Sequence, residues 1–157
     1  MTPERHRNPN RTRAREISLQ LLYQHDVCRK LDDALQPSES ELRPAISNAT
    51  DDPLVRDYAE VLLSGVLDEL EDLDERISGS TENWKLGRLA SVDRCILRLA
   101  VFELLHCDEI PPKVAIDEAI NLAKKFSTQG SGAFVNGVLD RIYGDAKGDA
   151  ARRGEAQ

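Results

Sequence analysis

Arg11, Arg13 and Arg15 are the first residues whose type and spacing could do chemistry. A guanidinium is a planar fork that can meet a phosphate with two parallel N–H donors. On a helix, Arg11 and Arg15 stand one turn apart on one face, and Arg13 flanks that face. One reading is a phosphate-binding strip; the other is a set of solvated arginines at a fraying helix start. A second group is Lys124-Lys125-Phe126, then a Gly-containing turn, then Phe134-Val135-Asn136-Gly137. Cations interleaved with aromatic faces suit single-stranded nucleic acid, and the turn between them offers backbone N–H groups. The competing reading puts both phenylalanines in the core. Gly137 inside a helix costs about 1 kcal/mol against Ala, which close approach by another helix would explain.

Signatures of catalysis are missing from the sequence. There is no Gly-rich phosphate loop ending in Lys-Ser/Thr, no G-x-G-x-x-G and no H-E-x-x-H. His6, His25 and His106 are scattered. His106 and Cys107 are adjacent, but neighbouring helical residues point about 100° apart, so they do not share a site. Cys28, Cys95 and Cys107 are odd in number and form no C-x-x-C, which reads as small buried apolar residues. The acid-rich stretch 57–75 reads as a solvated helix face rather than a cation site. The expectation is a binding protein with no catalytic residue, metal or cofactor.

Charge is unevenly spread. The net charge is −7, yet residues 1–29 carry six Arg against three acids, while residues 30–82 carry four bases against fifteen acids. Local charge governs contacts within a Debye length of ~8–10 Å, so the basic N-terminal segment is a candidate anion contact despite the acidic total. Met1 to Arg15 has no apolar signal core, and no run approaches the ~18 apolar residues of a membrane span. A cytoplasmic protein without membrane contact is expected.

Helices must position these groups. Aromatic residues are 4 % and the apolar content of 40 % is mostly Leu, Val, Ile and Ala, which suits helices. Residues 1–9 have no periodicity and read as a disordered arm. A first helix is expected from Asn10 or Thr12 to about Arg29, with Ala14, Ile17, Leu21, Gln24 or His25, and Cys28 inward. Leu31–Leu35 reads as a helical turn, and 36–53 as a long connection with room for one short helix. Asp52-Pro53 starts a helix whose apolar residues, from Val55 and Tyr58 to Leu73 and Ile77, keep helical spacing until Ser78-Gly79-Ser80. Trp84 and Leu86 open a short turn. Ser91 is the expected cap of an almost wholly apolar, hence central, helix to His106. Helices over 113–126 and 133–143 follow, and 144–157 reads as a disordered tail. The chain is expected to be all-α, with two helical subdomains over 10–78 and 82–143 sharing an interface.

These residues carry a family resemblance. Arg13-Ala14-Arg15-Glu16 with Leu21-Leu22-Tyr23, the helix Val92-Asp93-Arg94-Cys95-Ile96-Leu97-Arg98-Leu99-Ala100-Val101-Phe102-Glu103-Leu104, and Pro112-Lys113-Val114-Ala115-Ile116-Asp117-Glu118-Ala119 through Phe126 to Phe134-Val135-Asn136-Gly137-Val138-Leu139-Asp140 resemble NusB proteins over residues 11–143. The resemblance implies two small bundles of about seven helices in all. It implies a transcription antitermination factor that binds single-stranded boxA RNA of ribosomal-RNA leaders. The implied partners are the small-subunit ribosomal protein NusE and the RNA polymerase antitermination complex. Monomers and homodimers both occur in the family, so a homodimer stays open. By position, the implied RNA side is Arg11, Arg13, Arg15, Tyr23 and the Lys124, Lys125, Phe126, Phe134 group. The implied protein-partner side is Asp93 and Arg98, expected to face solvent on an otherwise buried helix. Two other readings stand beside this one. One is a module related to the N-terminal domain of ribosomal-RNA cytosine methyltransferases; the other is a purely protein-docking helical module.

Overall fold

The computed structural model describes residues 8–31, 39–81 and 89–155. Of the arm expected over residues 1–9, residues 1–7 lie outside the described residues and Pro9 is already helical; the turns at Leu31–Leu35 and Trp84–Leu86 lie largely or wholly outside them. Among the described residues there are seven α-helices and no strand. None of these helices is long and apolar enough to cross a membrane. The chain divides into two compact units, one ending at Glu69 and one beginning at Leu70.

The first unit holds α1 (Pro9–Leu31), α2 (Glu39–Ala49) and α3 (Pro53–Asp68). The α1 helix starts earlier than its apolar periodicity indicates because Asn8 and Pro9 form a start signal of their own. The Asn8 Oδ1 accepts the N–H groups of Asn10 (3.1 Å) and Arg11 (3.2 Å), and Pro9 has no N–H to lose at the first position. Asp52 and Pro53 repeat this device at α3, where the carboxylate accepts the Leu54 N–H at 2.9 Å. Ala14, Ile17, Ser18 and Leu22 of α1 are buried, as are Val55, Ala59, Leu62, Leu63 and Val66 of α3. Leu42 and Ile46 of α2 add to the same core. Leu21 and Cys28, expected inward, are only half-buried, and Arg15 and Asp26 are buried in addition.

The single helix expected over 53–77 is broken. The Glu69 N–H closes the last turn of α3 on the Gly65 carbonyl at 3.0 Å, and α4 (Leu70–Gly79) begins at the next residue. Asp68 and Glu69 lie at the negative end of α3, which disfavours them, while Glu71 and Asp72 lie in the first turn of α4, where acids are favoured. Leu70, Leu73 and Ile77 stay in step with the earlier apolar residues, so periodicity alone conceals the break. The unit boundary therefore falls at 69–70 and not at the expected 78–82.

The second unit is built around α5 (Ser91–His106), which packs against α4, α6 (Pro112–Phe126) and α7 (Ser131–Glu155). Every residue of α5 from Asp93 to Glu103 is buried, so the helix is central as its composition predicts. Ser91 is the first helical residue, not the cap; Ala90 is at the cap, and the Ser91 hydroxyl accepts from Arg94 at 3.2 Å. The last helix passes the expected start of the tail at 144 and runs to Glu155. Lys147 lies 4.9 Å from the Tyr143 ring one turn back, a cation–π pair that supports the extension. Cys95 and Cys107 are buried, Cys28 is half-buried, and none of the three forms a disulfide.

Gly137 does not serve a close helix approach. A Cβ placed there would meet nothing within 4 Å, and the residue is exposed. Gly137→Ala is therefore expected to raise the stability by about 0.5–1 kcal/mol, the usual gain for removing a helix-interior glycine. A thermal melt checks this, and a lower Tm would show that the backbone needs glycine there.

Candidate nucleic-acid interface

The three arginines of α1 occupy three different environments. Arg13 is exposed, with its guanidinium 3.5 Å from the Glu16 carboxylate, a loose surface pair of little energetic weight. Arg11 is half-buried, and its guanidinium carbon lies 5.5 Å from the centre of the Tyr58 ring. Arg15 lies 5.7 Å from the same ring and is only 2 % exposed. The expectation that Arg15 meets phosphate at the surface is therefore corrected. Its position between Ala14 and Ile17 puts it partly on the inward side of α1, and the Tyr58 face receives its charge. Tyr23 is 42 % exposed on α1, about 18 Å along the helix axis from Arg11.

The second cationic group closes α6. Lys124 and Lys125 are exposed in its last turn, next to half-buried Phe126. The Lys125 ammonium lies 5.3 Å from the Phe126 ring centre. Phe134, in the first turns of α7, is also half-buried, so neither ring is enclosed in the core. Gly130, with φ +94°, turns the chain between the helices, a conformation that L side chains rarely adopt. The turn is less open than expected. The N–H groups of Ser127, Ser131 and Phe134 bond the carbonyls of Ala123, Thr128 and Gly130.

Asp93 and Arg98 depart from expectation most. Both are buried, at 9 % and 6 % exposed. The Asp93 carboxylate accepts the Ser127 hydroxyl at 2.6 Å and the Ser131 hydroxyl at 3.3 Å. It thereby ties the start of α5 to the α6–α7 turn. Arg98 donates from Nε and a terminal nitrogen to the two oxygens of Asp74 at 2.7 and 2.9 Å, tying α5 to α4. The expectation that these two residues face solvent is therefore corrected: internal pairing accounts for both charges in an apolar helix. Tyr58, Asp74, Ser127 and Ser131 were not singled out from the sequence. Asp74 is 24 residues from Arg98, and Ser127 is 34 from Asp93, beyond any local spacing rule. His106 is exposed and stacks on Phe102 with ring centres 5.3 Å apart, whereas Cys107 is buried.

Comparison with known proteins gives one consistent match. The family model for the NusB family matches residues 12–144. The transcription antitermination protein NusB of Anaeromyxobacter dehalogenans is 50 % identical over 146 residues, which span 92 % of this chain and 96 % of its own. NusB of T. maritima superposes with a TM-score of 0.72 at 39 % identity, over 85 % of this chain and 89 % of that one. A chain from the crystal structure of antitermination factors NusB and NusE in complex with dsRNA superposes with a TM-score of 0.75. That chain is 26 % identical, with 88 % of this chain and 99 % of that chain covered.

Proposed function

This chain belongs to the NusB family, and from that premise we propose that it binds boxA-type single-stranded RNA in ribosomal-RNA leader transcripts. It does so together with the small-subunit ribosomal protein NusE, in the cytoplasm, and the assembly helps RNA polymerase pass termination signals. The observation that carries this reading is that Lys124 and Lys125 are exposed, the Lys125 ammonium lies 5.3 Å from the Phe126 ring centre, and Phe126 and Phe134 are both only half-buried. An open ring beside cations offers a base a stacking face and its phosphate a counter-charge. Arg11 and Arg13 on α1, and exposed Tyr23, supply the same two kinds of contact on the first unit. The role is binding and positioning, with no bond made or broken.

Fluorescence anisotropy with a boxA-type single strand, with and without NusE, tests this. No binding in either arm would remove the reading. The arginines give a sharper expectation. Arg13→Ala should flatten the plot of log affinity against log salt by about 0.7, one phosphate contact on a single strand, with an unchanged melting temperature. Arg15→Ala should instead act on folding, because its guanidinium is buried against Tyr58. A variant pair with the opposite pattern would reverse these two assignments. Phe126→Ala should cost about 1–3 kcal/mol of binding with little change in salt slope.

A further inference from the structure

Between the first turn of α1 and the outer face of α3 lies a groove of about 310 Å³, lined among others by Asn10, Arg11, Leu54, Asp57, Tyr58 and Val61. Leu54, Asp57, Tyr58 and Val61 are spaced i, i+3, i+4 and i+7, so they share one face of α3. Leu54 and Val61 are 65 % and 53 % exposed, unusual for large apolar side chains that flank a cavity. Asp57 is exposed between them and forms no ion pair among the described residues. Arg11, held over the Tyr58 ring, gives the groove a flat cationic wall.

We infer that this groove takes one guanine base of a bound RNA strand, with its N1–H and N2–H donors on the Asp57 carboxylate and its ring beside the Arg11–Tyr58 wall. The inference rests on the reading of the chain as an RNA-binding protein and adds a site of base selection to it. Size favours a single planar ring system. The volume is at the lower end of the roughly 300–1,000 Å³ range of small-molecule sites. Bases stack on guanidinium planes as well as on aromatic rings, and Leu54 and Val61 give the ring an apolar ledge. The carboxylate decides which base fits. It is acceptor-only, and the guanine edge alone offers two adjacent donors to its two oxygens. Cytosine and adenine set one amine beside a ring acceptor that faces the carboxylate lone pairs, and uracil offers one N–H between two carbonyls. The Asn10 amide can donate to the guanine O6.

The test compares two single-stranded RNAs of one sequence, one with guanosine and one with inosine, which lacks the N2 amine. With the full chain, the guanosine strand should bind about tenfold more tightly, within the range for a bidentate base contact. Asp57→Asn, nearly isosteric at an exposed position, should bind both strands equally with the wild-type salt slope and melting temperature. Leu54→Ser with Val61→Ser should also lose the preference. Equal binding of the two strands by wild type, or a preference that survives Asp57→Asn, overturns the subsite and leaves RNA binding intact. No binding of either strand, alone or with NusE, overturns both the subsite and the RNA reading. If the serine variant keeps wild-type RNA affinity but dissociates a homodimer in sedimentation, the face is a protein contact and the base site is overturned.

Discussion

Arg98→Met is expected to lower the free energy of unfolding by about 2–4 kcal/mol, read by chemical denaturation. The guanidinium side chain is 8 % exposed and meets both Asp74 oxygens, whose side chain is 24 % exposed. Met fills the space of the stem but removes two charge-assisted hydrogen bonds. Water can reach Asp74 and recover part of the loss, so the cost stays below that of orphaning a fully enclosed charge. Asp74→Ala should also destabilise, because it removes the carboxylate that meets the more deeply buried member. The pair also decides what Arg98 is for. A structural role predicts that both variants, measured where they are folded, bind NusE as wild type does. A loss of NusE affinity with Arg98→Met that Asp74→Ala does not share would place Arg98 on the partner surface.

Asp93→Ala should cost about 2–3 kcal/mol, since two hydroxyl-to-carboxylate bonds at a buried site are lost together and overlap in effect. Its second consequence is local. Ser127 and Ser131 hold the α6–α7 turn through this one carboxylate. Amide hydrogen exchange should therefore rise first over Ser127–Ser131, and RNA affinity should fall through Lys124, Lys125, Phe126 and Phe134, which the turn positions. Asp93→Asn, which still accepts one hydroxyl, should fall between wild type and Ala. Unchanged exchange at the turn in Asp93→Ala would show that Gly130 and the backbone bonds suffice to hold it.

The apolar pattern made much of the fold legible. Spacing placed helices from Asn10 or Thr12 to about Arg29, to His106 after Ser91, and over 113–126, close to the observed α1, α5 and α6, and the nearly continuous apolar run at 92–105 marked the central helix. Local chemistry that interrupts a pattern without disturbing its period was harder to see. Asp68 and Glu69 end one helix while Leu70 keeps the register of the next, so the unit boundary was displaced. The candidate site shows the same division. Lys124 and Lys125 were legible as cations beside an aromatic residue from their spacing, whereas exposed Tyr23 was singled out by the family resemblance alone. Arg15, Asp93 and Arg98 looked like surface charges because the groups that neutralise them come from other helices. Leu54 and Val61 lie off the inward stripe of α3, a visible signal of an uncovered apolar face.

The contact between Asp93 and the two serines also sets how the α6–α7 turn meets a polyanion. Ser131 opens α7 and its hydroxyl donates to a carboxylate supplied from inside the fold, so the positive end of the α7 dipole lies near a negative charge that offsets part of its pull on an anion. Attraction at this end of the molecule therefore belongs to the two lysine ammonium groups, on long stems in water, where added salt screens it within ~8–10 Å. The anchoring bonds are shielded from bulk ions. Under the proposed RNA-binding function, ionic strength would act on how strongly the turn captures a strand and leave the shape it presents to that strand unchanged.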